Sequence, residues 1–354
     1  MIRAIELARR PPFTSPNPRV GAVVVRDGVV LGEGWHRGPG TPHAEPDALR
    51  DLDAAGATLY VTLEPCAHHG RTPPCAPAVA ASGVRRVVAA LEDPDPRVAG
   101  AGFDMLRAAG VEVEVGACAT EARRLNAAYV HHRSTGRAFV SLKLALTLDG
   151  RLAAPDGTSR WITGDDARRI VHRRRVECDA VMVGAGTVLA DDPRLDVRAV
   201  DAPRQPARVV VDGSGRVPPT AALFSSPGGA VTVATTDAAT VERRKEWEAT
   251  GAEVLVLPRT GDGVDLDALL EDLGARGVVE VLCEGGARLA TRLLERRLVG
   301  RLELHHGAVV VGRGGPDVGD VGVATMAGAY RWRLVSVERA DDDVVATYEP
   351  DGGR

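Results

Sequence analysis

Three short segments of this 354-residue chain restrict its fold more than any other feature: His43-Ala44-Glu45, Glu64-Pro65-Cys66 and Thr72-Pro73-Pro74-Cys75. One imidazole and two thiols act together only if a fold carries three separate loops to one point. A lone His-x-Glu is common, and buried cysteines are ordinary core residues. The combination, with prolines flanking both cysteines, is not ordinary. Three protein ligands leave zinc a fourth position for water, the pattern of catalytic sites. Zinc lowers the pKa of that water to about 7. Glu45, beside the metal but not bound to it, is placed to carry protons between water and a leaving group. His68 or His69 as a fourth ligand would instead close a structural site.

The periodicity around these segments predicts an α/β domain. Strands are expected at Val20–Val25 and Val29–Gly34, joined at Asp27-Gly28, with further strands at Thr58–Leu63, Arg86–Leu91 and Val111–Val115. Helices are expected at His43–Leu52, Cys75–Ser82 and Phe103–Ala109, followed by one linking helix, Glu121–His132. Cys75 then opens a helix, whose positive end favours thiolate. Ser134-Thr135-Gly136 breaks the pattern, so the boundary is placed between residues 1–135 and 136–354. A second α/β run follows, with strands at Phe139–Leu146, Ala180–Val183, Ala207–Val211, Ala230–Ala234, 253–257, 278–283, 301–311 and 343–348. Helices are expected at Asp165–Arg175, 241–249, 265–273 and 287–296, and exposed connections at Ala199–Pro206 and Val217–Gly229.

The formal net charge of −4 offers no basic footprint for nucleic acid. No apolar run approaches the ~18–20 residues that span a bilayer, and the Arg-rich start lacks a signal-peptide core. Five cysteines, an odd number, fit a reducing cytoplasm better than a disulfide framework. Of 44 basic residues only Lys143 and Lys245 are lysines, which singles out Lys143 as a position where a compact ammonium is needed.

The usual deaminase signature follows His-x-Glu with Pro-Cys-x-x-Cys. Here eight residues, Ala67 to Pro74, separate the two cysteines. With Ser15-Pro16-Asn17-Pro18-Arg19, Gly38 to Glu45, Tyr60 to Cys66 and Glu92-Asp93-Pro94-Asp95-Pro96, that gap resembles the bifunctional deaminase/reductase of riboflavin biosynthesis. The resemblance covers essentially the whole chain. It continues through Ser141 to Ala145, Leu148 to Arg151, Ser159 to Thr163, Val183 to Pro193 and Cys283 to Ala287.

The resemblance implies a cytidine-deaminase-like α/β/α sandwich followed by a dihydrofolate-reductase-like α/β domain. It implies zinc-dependent deamination of 2,5-diamino-6-ribosylamino-4(3H)-pyrimidinone 5′-phosphate, then NADPH-dependent reduction of the ribosyl chain to ribityl. Zinc falls to His43, Cys66 and Cys75, and proton transfer to Glu45. Asn17, His36, Arg71 and Asp93 are implied contacts to the pyrimidine ribotide, Arg71 suiting its phosphate. In the reductase half Lys143, Ser159, Arg175, Leu195, Arg198 and Glu284 are implied substrate contacts. Arg175 and Arg198 suit a phosphate, because guanidinium binds it bidentately. Ala145, Trp161, Thr187, Asp191 and the run Gly286, Ala287, Arg288, Leu289, Ala290, Thr291 and Arg292 are implied NADPH contacts. Glu284-Gly285-Gly286 follows a strand and opens a helix, as a phosphate cradle does, although no Gly-x-Gly-x-x-Gly fingerprint is present. Lys143 is expected to contact the ribose or help protonation as hydride arrives at C1′.

Three positions depart from the family pattern: Asp95 where asparagine is frequent, Ala67 where serine is frequent, and Gly213 where Ser or Thr is frequent. A carboxylate cannot donate as an amide does. Two other readings remain at this stage: a nucleic-acid base deaminase, and a deaminase whose reductase half is weak or silent. The resemblance implies a cytoplasmic homo-oligomer, dimer or tetramer, acting on a small molecule with neither nucleic acid nor membrane as partner.

Overall fold

The computed structural model describes residues 1–70, 72–96, 98–261 and 263–351, and the chain divides into two compact units, Met1–Gly136 and Arg137–Arg354. The first runs α1 (Ile2–Ala8), β1 (Gly21–Arg26), β2 (Val29–Trp35), α2 (Ala44–Ala48), β3 (Thr58–Val61), α3 (Cys75–Ala81), β4 (Arg86–Ala89), α4 (Ala101–Ala108), β5 (Glu112–Val115), α5 (Ala119–Leu125) and α6 (Ala127–Thr135). Its sheet has the order β2-β1-β3-β4-β5, antiparallel around β1 and parallel from β3 to β5. Asp27 and Gly28 take φ of 52° and 77°, the left-handed pair that a two-residue hairpin needs. Leu59, Val61, Val87, Phe103 and Leu106 anchor the main core on one face.

Two expectations for this unit fail. The helix expected over His43–Leu52 is one turn, ending where Leu49 caps it and before Asp51 turns left-handed at φ 57°. It still packs hard on the sheet, since a Cβ at Gly34 would lie 2.3 Å from the Ala44 carbonyl oxygen. The single linking helix is two, broken at Asn126 (φ −105°, ψ 22°). The Asn126 amide accepts from the Arg19 N–H (2.8 Å) and donates to the Arg19 carbonyl (2.9 Å), holding the loop that carries Asn17.

The second unit runs β6 (Phe139–Leu146), α7 (Asp165–Glu177), β7 (Ala180–Gly184), α8 (Ala185–Asp191), β8 (Ala207–Val211), α9 (Ala222–Ser225), β9 (Val231–Thr235), α10 (Val241–Ala249) and β10 (Glu253–Val256). It continues with β11 (Arg259–Thr260), β12 (Gly263–Val264), α11 (Leu266–Ala275), β13 (Glu280–Cys283), α12 (Ala287–Glu295), β14 (Val299–His306), β15 (Trp332–Ala340) and β16 (Asp343–Pro350). The nine-stranded sheet has the order β10-β9-β8-β7-β13-β6-β14-β16-β15, parallel as far as β14 and antiparallel beyond. Its central strands β7, β8 and β13 are buried on both faces, as parallel strands are. In β7, Ala180 and Met182 join one core while Val181 and Val183 join the other.

Helix α8, the β11–β12 hairpin and strand β15 were not anticipated. The strand expected over 301–311 stops at His306 because its neighbour β6 stops at Leu146, opposite it. The connection 217–229 is not an exposed loop. Val217 and Leu223 are fully buried, and the Trp247 indole donates to the Val217 carbonyl at 3.0 Å.

Candidate functional site

In the first unit His43 caps α2, Cys75 opens α3, and Cys66 lies in the turn after β3. Sγ of Cys66 and of Cys75 lie 3.6 and 3.2 Å from His43 Nδ1, and the three donor atoms all fall within 4.8 Å of one another. Ligands about 2.0–2.3 Å from a tetrahedral zinc stand about 3.5–3.8 Å apart, so this donor set fits that ion. His43 Nε2 sits 3.2 Å from the Thr72 hydroxyl, a partner that orients the ring. Among the described residues, His68 and His69 are not part of the cluster.

The two thiols share one hydrogen bond. Donation from Cys75 pushes the Cys66 thiol down to about 4, with His43 adding to the effect, while Cys75, as donor, is pushed up. A divalent cation between them would hold both as thiolates. Glu45, in the first turn of α2, is 3% exposed, and burial lifts its carboxyl to about 7. That is the range in which a carboxyl both takes and gives protons near neutrality.

Asn17 Nδ2 donates to His36 Nε2 at 2.9 Å, and His36 Nδ1 faces the Pro42 carbonyl at 3.1 Å. These partners define a neutral tautomer with the proton on Nδ1, and burial, opposed by the Pro42 carbonyl, lowers the imidazole pKa. The His36 and His43 rings meet edge-on at 5.3 Å. Asp93 is buried and accepts from the Tyr129 hydroxyl (3.1 and 3.2 Å) and the Asp95 N–H (2.9 Å); burial holds its carboxyl above the usual range. Asp95 is also buried, 3.7 Å from Arg133 Nε, so its charge is balanced inside the protein. Arg71 lies outside the described residues. The organiser that sequence reasoning missed is Glu64. Its carboxylate accepts from the N–H groups of Asp93 (3.2 Å), Gly100 (3.0 Å) and Gly102 (2.8 Å), tying the Cys66 turn to the Asp93 loop.

In the second unit a cleft of about 1200 Å³ opens at the carboxyl ends of the parallel strands, where open α/β sheets bind ligands. Lys143 and Ala145 reach it from β6, Ser159 and Trp161 from the segment before α7, and Arg175 from α7. Thr187 and Asp191 line it from α8, Leu195 and Arg198 from the loop beyond, and Glu284, Gly286, Ala287, Arg288, Leu289 and Arg292 from the start of α12. Ala290 and Thr291 do not line it. Ala290 is fully buried in the core, and the Thr291 hydroxyl donates to the Ala287 carbonyl and accepts from Gly319 N–H. On a helix, consecutive residues cannot all face one side.

Arg175 is not the free fork expected for a phosphate. Its Nε and Nη2 donate to both oxygens of Glu284 (2.5 and 2.7 Å), and its Nη1 to the Asp196 carbonyl (2.6 Å). Arg198 and Arg194 flank it, each paired with the Asp196 carboxylate and each with about half its side chain exposed. Burial pushes the Lys143 ammonium below the ordinary lysine value, opposed by Glu284 and reinforced by Arg175. Gly285 and Gly286 take φ of 97° and 95°, and a Cβ at Gly286 would strike the Thr187 hydroxyl at 2.8 Å. That bare backbone at the mouth of α12 fits the pyrophosphate of a dinucleotide. His172, Arg194 and Arg216 also line the cleft and were not singled out in the sequence. Lone basic residues on a helix or loop carry no signal of their own.

Residues 138–346 match the RibD C-terminal domain, and residues 1–91 match the cytidine and deoxycytidylate deaminase zinc-binding region. The riboflavin biosynthesis protein RibD of Aquifex aeolicus is 39% identical over 98% of this chain and 96% of its own. That of Escherichia coli is 40% identical over 97% and 96%. Among solved structures, Acinetobacter baumannii RibD superposes with a TM-score of 0.86 at 39% identity, covering 99% of this chain and 97% of that one. A diaminohydroxyphosphoribosylaminopyrimidine deaminase/5-amino-6-(5-phosphoribosylamino)uracil reductase of Thermotoga maritima superposes at 0.83 with 35% identity, covering 99% and 97%.

Proposed function

This chain belongs to the RibD family of riboflavin-biosynthesis proteins, and from that premise we propose that each of its two units carries one of the family's reactions at the sites described above. It is a bifunctional enzyme, a zinc-dependent deaminase and an NADPH-dependent reductase of pyrimidine ribotides. The observation that carries the assignment is the convergence of His43, Cys66 and Cys75 beside buried Glu45, in a chain related to RibD proteins along nearly its whole length.

When bound, zinc activates water for attack and NADPH supplies the reducing equivalent. Glu45 takes a proton as water attacks the carbon bearing the amino group, and delivers it to the departing nitrogen, releasing ammonia. His36 holds Asn17 for the pyrimidine edge. In the second unit the backbone of Gly285 to Arg288 receives the cofactor's phosphates at the start of α12. Arg198 and its neighbour Arg194 meet the substrate phosphate, and Arg175 orients Glu284. Lys143, with its lowered pKa, gives a proton as C1′ is reduced.

Purified protein given the diamino ribotide and NADPH is expected to release ammonia and then oxidise NADPH. Ammonia from an RNA oligonucleotide, with none from the ribotide, would contradict this reading. All five cysteines are unpaired thiols, which supports a reducing cytoplasm, and no helix among the described residues is long and apolar enough to cross a membrane. Strand β15 leaves Leu334, Val335 and Val337 exposed, which supports a homo-oligomer built on the second unit. Sedimentation at the mass of one chain would remove that point.

A further inference from the structure

His172 has no part in the contacts assigned so far. It lies on α7, three residues before Arg175, is 7% exposed, and lines the reductase cleft. Its Nδ1 is buried without a hydrogen-bond partner. Native proteins seldom leave such a group unpaired, and Nε2, also without a partner among the described residues but not closed off, is the nitrogen that a ligand in the cleft can reach. The charged groups around it are paired with one another: Arg175 with Glu284 on the helix and β13 side, and Arg198, together with Arg194, with Asp196 on the loop side. Burial together with Arg175 and Arg198 lowers the imidazole to about 4, against the pull of Glu284 and Asp196. At neutral pH the ring is therefore uncharged, with one donor and one acceptor.

We propose that His172 is a positioning residue for the reductase substrate, binding a hydroxyl of its five-carbon chain with a neutral imidazole. A hydroxyl both donates and accepts, as a neutral imidazole does, whereas a phosphate dianion wants donors only. The cleft already meets phosphate with arginines, so a neutral ring between them is matched to the part of the ligand that carries no charge. His172 holds the chain between its phosphate end and the carbon to be reduced. Among the described residues no group sets its tautomer, so the bound hydroxyl does.

This inference rests on the reductase assignment, and the test separates the two. Full-length wild-type protein is assayed on the phosphoribosylaminouracil with NADPH, alongside His172→Phe and His172→Gln. If the wild type reduces nothing, the reductase assignment fails. If it does, His172→Phe is expected to raise the KM for the ribotide about tenfold, with the KM for NADPH and the rate of deamination unchanged. His172→Gln, which restores a donor and an acceptor, is expected to recover most of the loss. An unchanged ribotide KM in His172→Phe overturns the proposal. So does a Gln variant as impaired as Phe, or an equal loss of NADPH binding, because either marks a packing role. Should His172→Phe fail to fold, His172→Gln against His172→Leu gives the same comparison by the same three readouts.

Discussion

The two candidate sites are built in opposite ways. The deaminase donors come from loops and helix starts within thirty-two residues of one another and meet around a point where one ion belongs. The reductase cleft draws Lys143 from β6 and Glu284 from β13, strands far apart in sequence but adjacent in the sheet. It is braced from behind by buried ion pairs. Glu280 accepts from the Ser141 hydroxyl (2.6 Å), Arg174 (2.8 Å) and Arg301 (3.1 Å), and Arg174 also meets Glu303 at 2.9 Å. The first site depends on a metal and the second on the sheet, so they should fail separately and by different means.

Removing the metal is the strongest challenge to that contrast. Chelation, or Cys75→Ser, is expected to take deamination to background, with bound zinc, measured by atomic emission, falling from one per chain, while reduction of supplied aminouracil ribotide continues. Loss of both activities would mean that the units are not independent. In the other direction, Lys143→Met is expected to lower the reduction rate by about 10²–10⁴-fold and leave ammonia release intact. Lys143→Arg with undiminished turnover would remove the proton-donor role.

Glu280→Gln tests the bracing. Burial would raise this carboxyl, but Arg174, Arg301 and the Ser141 hydroxyl outweigh it and hold it at about 2, below its ordinary 4.5. A folded-state pKa below the unfolded one adds stability above pH ~4.5 that fades as pH falls toward 2. The Gln variant should lose about 2 kcal/mol in denaturant unfolding at pH 7, because it removes one charged partner from Arg174, which keeps Glu303 and Glu177, and from Arg301, and much of the difference from wild type should vanish near pH 2.5. A constant difference across that window would show that the charge is not what matters. Gly286→Ala is the mildest change. The φ of 95° and the Thr187 hydroxyl both oppose a methyl group, and NADPH affinity by fluorescence titration should weaken about tenfold, with the KM for ribotide little altered.

The same contrast explains what the sequence disclosed. His43, Glu45, Cys66 and Cys75 were legible because a metal site needs fixed residue types at short spacing. The alternating strands and helices were legible from periodicity, and the last residues of β8 and α10 fell where expected. Strand β15 was missed because the register shift between Leu334 and Ser336 breaks its apolar–polar alternation into two short pieces, Trp332 to Leu334 and Val335 to Glu338. The break at Asn126 was missed because its cause, the Arg19 backbone, is more than a hundred residues away. Arg175 was expected to hold out a free fork, since its partner Glu284 lies more than a hundred residues away, just past the end of β13. Glu64 stood in a quoted motif with no role, because its three N–H donors come from the Asp93 loop and the start of α4, which only folding brings near.

The two chemistries run independently of one another, and Glu45→Gln separates them with a single side chain. Ammonia release and NADPH oxidation are measured on one preparation of the full chain, the first with the diamino ribotide and the second with the aminouracil ribotide. Ammonia release is expected to fall by about 10³-fold or more, while NADPH oxidation keeps its wild-type rate. Ammonia release that survives the substitution would contradict the proton-transfer role of Glu45, and NADPH oxidation that falls with it would contradict the separation of the two sites.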